Sequence, residues 1–159
     1  MTSEAYAKPL PLSDDNTAPF WEEARTHRLA FQRCQHCGAF AHPPVTFCQK
    51  CHNVDEPSFR FEHVQPRGRV VNWTVIHDQM ALGFENEGPT VWILAEMTDQ
   101  PGLLFPCALE EGRSDWLRIG IAVDVVFRDV APGVALPYFR LAQTDCDKEP
   151  RQADMWRVT

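Results

Sequence analysis

The chain has 159 residues, is 44% hydrophobic and carries a net charge of −7. That length allows one domain, or a small module joined to a domain, with enough apolar residues to bury a core. No stretch approaches the ~18 consecutive apolar residues of a membrane span, and the first twenty residues lack the basic-then-apolar pattern of a secretory signal.

The expected compartment is therefore the cytoplasm, where paired cysteines hold metal more often than they form disulfides. The charge is uneven. Residues 24–70 carry seven basic and three acidic side chains, and residues 71–159 carry seven basic and fourteen acidic. Either these are two ordinary solvated surfaces, or the basic part meets a phosphate-bearing ligand or an acidic partner.

Residues 1–13 are proline-rich and read as extended. "SDDNTAPFWEEARTHRLAFQRC" then predicts a short helix, with Asp15, Asn16 or Thr17 as cap, Glu22 and Glu23 in its first turns, and Phe20, Trp21 and Ala24 on its apolar side. Leu29 to Arg33 is short and extended. Gly38 permits a tight turn with positive φ, and Pro43-Pro44 prevents helix.

Five strands follow. "PRGRVVNWTVIHDQ" is the clearest, with Val71, Trp73 and Val75 alternating against Asn72 and Thr74. "GPTVWILAEMTD" places Val91, Ile93, Ala95 and Met97 on one face. Leu103 to Leu109 forms a third strand. "IGIAVDVVFRDV" forms a fourth, with Ile121, Val123, Val125 and Phe127 in phase, and "LPYFRLA" a fifth. Five short strands joined by Gly/Pro loops predict a small closed barrel. Residues 143–159 read as a polar, flexible tail with Trp156 as a docking point. The expected organisation is an N-terminal segment and helix over 1–30, a ribbon over 31–66, a barrel over 67–142 and the tail over 143–159.

Four of the six cysteines fall within "CQHCGAFAHPPVTFCQKC". Cys34-x2-Cys37 and Cys48-x2-Cys51 each turn tightly enough to aim two thiolates at one point, and two such knuckles complete a tetrahedron around zinc. Four thiolates leave no position for water, so the site is structural, and metal binding supplies the folding energy of a segment too small to bury its own core. Iron also suits two such knuckles, and sequence does not separate the metals. His36 and His52 sit beside ligands in a shell already filled by cysteine. Cys107, in phase with Phe105 and Leu109, reads as a buried inert thiol, and Cys146 as an exposed one in the tail.

No Gly-x-Ser-x-Gly, phosphate-binding glycine loop, His-Glu-x-x-His or dinucleotide fingerprint is present. His77 and Asp78 are neighbours on a strand and point to opposite faces. His42 and His63 have no nucleophile nearby in sequence, and Glu110-Glu111 reads as solvated loop charge. No catalytic residue is therefore assigned.

A ribbon followed by a barrel has a precedent in single-stranded nucleic-acid binding, which the acidic barrel half argues against. "TAPFWEEARTHRLAFQRCQHCG", "AHPP", "FCQKC", "GRVVNWTVIH", "LRIGIAVDVVF" and "LPYFR" together resemble a different group. It is the acyl-CoA-associated family that joins a rubredoxin-like zinc ribbon to an OB-fold.

The resemblance spans residues 14–141. It implies a mainly β protein with a short N-terminal helix, a zinc ribbon and a five-stranded OB-fold barrel. It also implies a non-catalytic subunit that packs on a thiolase-fold enzyme, either a thiolase, an acyltransferase or a retro-aldolase cutting steroid side chains from CoA thioesters. Such a subunit helps form or stabilise the partner's acyl-CoA site. Structural zinc on Cys34, Cys37, Cys48 and Cys51 carries over, with a two-plus-two heterotetramer as the natural assembly and no nucleic acid or membrane as partner. Some relatives are fused to a hydratase domain, for which this chain is too short. CoA phosphates would meet Arg33, Arg67 and Arg69, and Phe47 or Trp73 would flank the pantetheine or adenine. The other readings are ordinary surface arginines and core aromatics, and, for the whole chain, a stand-alone acyl-CoA carrier.

Overall fold

A computed structural model of the chain describes residues 8–53, 58–77, 82–85, 88–110 and 114–142. Cys146, Trp156, Asp78 and Glu111 lie outside them.

Helix α1, Ala18–Ala24, starts at Thr17 and carries Pro19 in its first turn, where the missing N–H costs nothing. Thr17 occupies the cap position without capping through its own side chain. The work is done one turn earlier by Asp14, whose carboxylate accepts the Thr17 N–H at 2.8 Å and the Thr17 hydroxyl at 2.7 Å. The first turn contains no acid, correcting the expectation for Glu22 and Glu23. Glu23 instead pairs with Arg28 and with His63 of the neighbouring sheet, both at 2.8 Å. Phe20 and Ala24 form the buried side.

Three short strands follow: β1 (Ala30–Cys34), β2 (Phe40–Ala41) and β3 (Phe59–His63), in the antiparallel order β2-β1-β3. The second sheet contains β4 (Arg67–Ile76), β5 (Thr90–Met97), β6 (Leu104–Ala108), β7 (Ala122–Ala131) and β8 (Val134–Leu141), in the order β6-β5-β4-β7-β8. A parallel bridge between Leu109 and Phe139 brings the last strand back towards the β6 end. The five strands thus form an antiparallel sheet that this bridge curls towards closure, within the mainly β fold expected.

Val91, Ile93, Ala95 and Met97 are all buried, as are Ile121, Val123 and Val125. The phase of β4 differs from the simple alternation. A β-bulge between Val70 and Asn72 inserts one residue. Gly68 and Val70 point inward before it, Trp73 and Val75 turn towards the core after it, and Val71 is exposed. A bulge restarts the two-residue period, so one strand serves two inward phases.

Gly68 marks the closest approach of β4 to β5. A Cβ there would stand 2.7 Å from the Glu96 carbonyl oxygen and 3.3 Å from the Ala95 side chain. Backbone at that distance cannot swing aside. Gly68→Ala is expected to lower stability by about 1–3 kcal/mol, read as a drop in the denaturant midpoint without loss of metal.

Glu110 follows β6 with only 9% of its side chain exposed. Arg140 holds its carboxylate at 2.6 Å and Arg128 at 2.9 Å. The Arg140 hydrogen bond, then the Arg128 one, keeps its carboxyl below the ordinary carboxylate range against the opposing effect of burial. Glu110 is thus a clamp that ties the end of β6 to β7 and β8, not solvated loop charge.

The two sheets and the helix share one hydrophobic core that includes Phe20, Phe31, Phe105 and Phe139. His42 joins this core. Its ring centroid lies 4.8 Å from Phe31, 4.9 Å from Phe105 and 5.8 Å from Phe20. Burial pushes the imidazole down to about 4, so the folded chain holds it neutral. The unfolded chain takes up that proton near pH 6.5. Stability is therefore full above pH 6.5 and is lost as pH falls from 6.5 towards 4, by up to about 3 kcal/mol. Melting curves across that window should show this loss, and His42→Phe should remove this part of it.

Candidate metal centre

The first knuckle begins where β1 ends. Cys34 donates its backbone N–H to the Ala39 carbonyl at 2.8 Å, and Gly38 donates to the Cys34 carbonyl at 2.9 Å. The second knuckle repeats the closing bond, with the His52 N–H on the Cys48 carbonyl at 2.9 Å. Gly38 has φ +73° and His52 has φ +53°, so the residue after each Cys-x-x-Cys is left-handed. Gly38 does this without penalty, while His52 does so as one of the uncommon non-glycine cases.

The four Sγ atoms of Cys34, Cys37, Cys48 and Cys51 lie within 4.8 Å of one another. Cys34 is 3.8 Å from Cys51, and Cys37 is 3.6 Å from Cys48. A tetrahedron with Zn–S bonds of about 2.3 Å has edges of about 3.8 Å, so this donor set fits zinc closely. Cys34 and Cys48 are buried, and Cys37 and Cys51 are exposed.

The local backbone prepares thiolates. N–H groups of Cys51 and Lys50 aim at Cys48 and pull it down to about 6. Those of Cys37 and His36 likewise lower Cys34. The Asn53 N–H pulls Cys51 in the same direction, but loss of water and the three neighbouring sulfurs win and push it up to about 11. Four sulfurs this close cannot all ionise without a cation among them, and a dication at their centre reverses that repulsion.

Three side chains that the sequence reading did not assign to this task, or assigned elsewhere, hold the knuckles in place. Gln32 pairs with both backbone groups of Val45, at 2.7 and 3.0 Å, and so fixes the approach to the second knuckle. Gln100, from the β5–β6 turn, does the same to Phe40 at 2.8 and 3.0 Å, locking ribbon to barrel. Each amide imitates one step of a β-ladder. Arg33 donates to the Gly38 carbonyl at 2.9 Å and to Glu62 at 2.6 Å, and it lies over the Phe40 ring at 5.1 Å.

The remaining residues expected to touch CoA are spread over the fold. Arg67 and Arg69 alternate onto one exposed face of β4. Arg67 pairs with Asp124 at 2.7 Å, and Arg69 donates to the Gly120 carbonyl at 2.9 Å. Phe47 is exposed just before the second knuckle, and Trp73 is half-buried against the core. Cys107 is buried and donates to the Pro137 carbonyl at 2.8 Å. Burial pushes its thiol up to about 12, which fits the inert role expected of it.

A four-cysteine ribbon sharing its core with a five-stranded barrel defines a zinc-ribbon–barrel protein with a closed, structural metal site. Residues 21–55 match the family described as "ChsH2, rubredoxin-like zinc ribbon domain". The solved structure titled "Ltp2-ChsH2(DUF35) aldolase" contains a chain that is 29% identical, with a TM-score of 0.69, covering 82% of this chain and 98% of that one. A protein of Thermomonospora curvata described as a probable enoyl-CoA hydratase alpha subunit is 31% identical over 137 residues. That match covers 85% of this chain but only 40% of the relative's length. The ribbon segment thus matches the ChsH2 rubredoxin-like zinc ribbons, and the chain as a whole is similar to a ChsH2(DUF35) chain.

Proposed function

We propose that this chain is an accessory subunit that packs on a thiolase-fold enzyme and helps form or stabilise its acyl-CoA site, the reaction itself being carried by the partner. The observation that carries this reading is its likeness, over almost the whole length of that chain, to a chain solved within an aldolase assembly. The described residues include no helix long and apolar enough to cross a membrane. Arg67 and Arg69, with Phe47 and Trp73, are the proposed contacts to CoA. Arg33 belongs to that set only if it can keep its hold on Gly38 and Glu62.

The test is co-expression with a thiolase-fold protein from the same source, followed by size exclusion and assay on an acyl-CoA thioester. A stable complex, active only when both chains are present, is the expected result. Turnover by this chain alone, or a monomer that ignores the thiolase-fold protein, would overturn it.

A further inference from the structure

The four cysteines of the metal centre are not equivalent. Cys34 is 2% exposed and Cys48 5%, whereas Cys37 and Cys51 reach the surface. Each knuckle therefore contributes one buried sulfur and one open to solvent. Across the knuckles, exposed Cys37 lies 3.6 Å from buried Cys48, and exposed Cys51 lies 3.8 Å from buried Cys34. Every reachable sulfur thus has a shielded one from the opposite knuckle beside it.

The surroundings suit reaction at the two exposed positions. Residues 34–53 include Lys50 and no aspartate or glutamate. Reactive cysteines sit in such accessible, non-acidic settings, while buried thiols are inert. Cys107 is the contrast within the same chain, being buried with its thiol on the Pro137 carbonyl.

We propose that the metal centre is also an oxidant-sensitive switch. A peroxide enters at Cys37 and Cys51, each is joined to the buried cysteine of the opposite knuckle, and the chain gives up its zinc. The switch is independent of the accessory-subunit reading.

The chemistry needs peroxide alone as oxidant. The Cys37 thiolate attacks one peroxide oxygen, so that an S–O bond forms, the O–O bond breaks and hydroxide leaves. The sulfur, now a sulfenic acid, has lost two electrons to the peroxide. The Cys48 thiolate then attacks the Cys37 sulfur, so that an S–S bond forms, the S–O bond breaks and a second hydroxide leaves. Two protons from solvent turn both hydroxides into water. Cys51 and Cys34 react in the same way with a second peroxide.

The geometry favours this pairing. Sulfurs 3.6 and 3.8 Å apart have to close to about 2 Å, a movement within the reach of side-chain torsions. The two bridges nest, each crossing from one knuckle to the other, and they close the segment that the metal closes. With no thiolate left, the site cannot hold a dication, yet the ribbon remains stapled. Reduction of both bridges returns four thiolates, so the change is reversible, unlike oxidation to sulfinic or sulfonic acid.

The experiment uses the full zinc-loaded chain carrying Cys146→Ser, so that the cysteine outside the described residues contributes no thiol. Hydrogen peroxide is added in steps. Released zinc is read with a chromogenic chelator, and disulfides are mapped by fragmentation mass spectrometry after free thiols are blocked. Zinc release should run at least about tenfold faster than in buffer without peroxide. At completion about two peroxides should be consumed per zinc, with Cys34 linked to Cys51, Cys37 linked to Cys48 and Cys107 free. Dithiothreitol followed by zinc should restore metal content and melting temperature. An unchanged rate of zinc release would overturn the switch. So would disulfides confined within each knuckle, sulfinic or sulfonic acid on Cys37 and Cys51 in place of disulfides, or a loss that reductant and zinc do not reverse. A chain that binds no zinc before peroxide is added would overturn the metal centre, and the switch with it.

Discussion

Cys48→Ser is expected to abolish zinc retention and to leave residues 34–53 without a fixed fold. Cys48 is buried at the junction of the small cluster formed with Cys34, Ala39 and Phe59. That cluster is too small to order the ribbon by burial alone. Binding of structural zinc by four thiolates is worth on the order of 10 kcal/mol, comparable with a domain's whole margin of stability. Serine keeps the volume but supplies a hydroxyl that does not ionise at neutral pH, so the remaining three thiolates face one another with an incomplete shell.

The damage should not stop at the ribbon. Phe40 is tied to Gln100 of the barrel through both of its backbone groups, and Cys34 ends the strand that carries Phe31 into the common core. Metal content should fall from one zinc per chain to none, the melting transition should broaden or disappear, and the complex with the partner should be lost. A variant that keeps its zinc and its cooperative melt would show that three cysteines suffice, and would contradict the structural role assigned to the fourth.

The parts of this fold that were legible in sequence are those set by spacing and period. Two Cys-x-x-Cys pairs ten residues apart allow few arrangements other than a shared tetrahedron. The barrel strands were legible because inward residues recur every second position, and a strand with one wet face must obey that rule. The β4 phase was misread at Val70-Val71. Two adjacent valines satisfy either register, and the choice between them is made by a bulge whose cause lies in the pairing with β5.

Strand β3 was missed although "FRFEH" alternates apolar and polar residues, because five residues of period two form a weak signal beside the cysteines. Glu110 was misread for a different reason. Its partners, Arg128 and Arg140, are 18 and 30 residues away, and only closure of the barrel brings them together. Arg33 shows the same limit. Its charge suggested a phosphate, but its neighbours across the sheet, Glu62 and the Gly38 carbonyl, already occupy it. Sequence gives the type of a side chain, while its availability depends on contacts made at long range.

Phe31→Ala tests whether ribbon and barrel are one cooperative unit. Phe31 lies on β1 in the ribbon sheet and is fully buried. Its ring is parallel to that of Phe20 at 6.4 Å and meets Phe105 of the barrel edge-on at 5.2 Å. Phe105 in turn meets Phe139 on β8 at 5.8 Å. One side chain therefore joins helix, ribbon and barrel. Truncating it removes contacts on three sides, and the surrounding rings cannot collapse into the space without moving the sheets apart. The expected cost is about 3–5 kcal/mol, the range for a buried phenylalanine. Because the zinc knuckle hangs from the same strand, chelator-induced zinc release should accelerate in this variant although every thiolate is intact. If ribbon and barrel are independent, zinc release will be unchanged while the barrel alone melts earlier. A common shift in both readouts is the result that a single shared core requires.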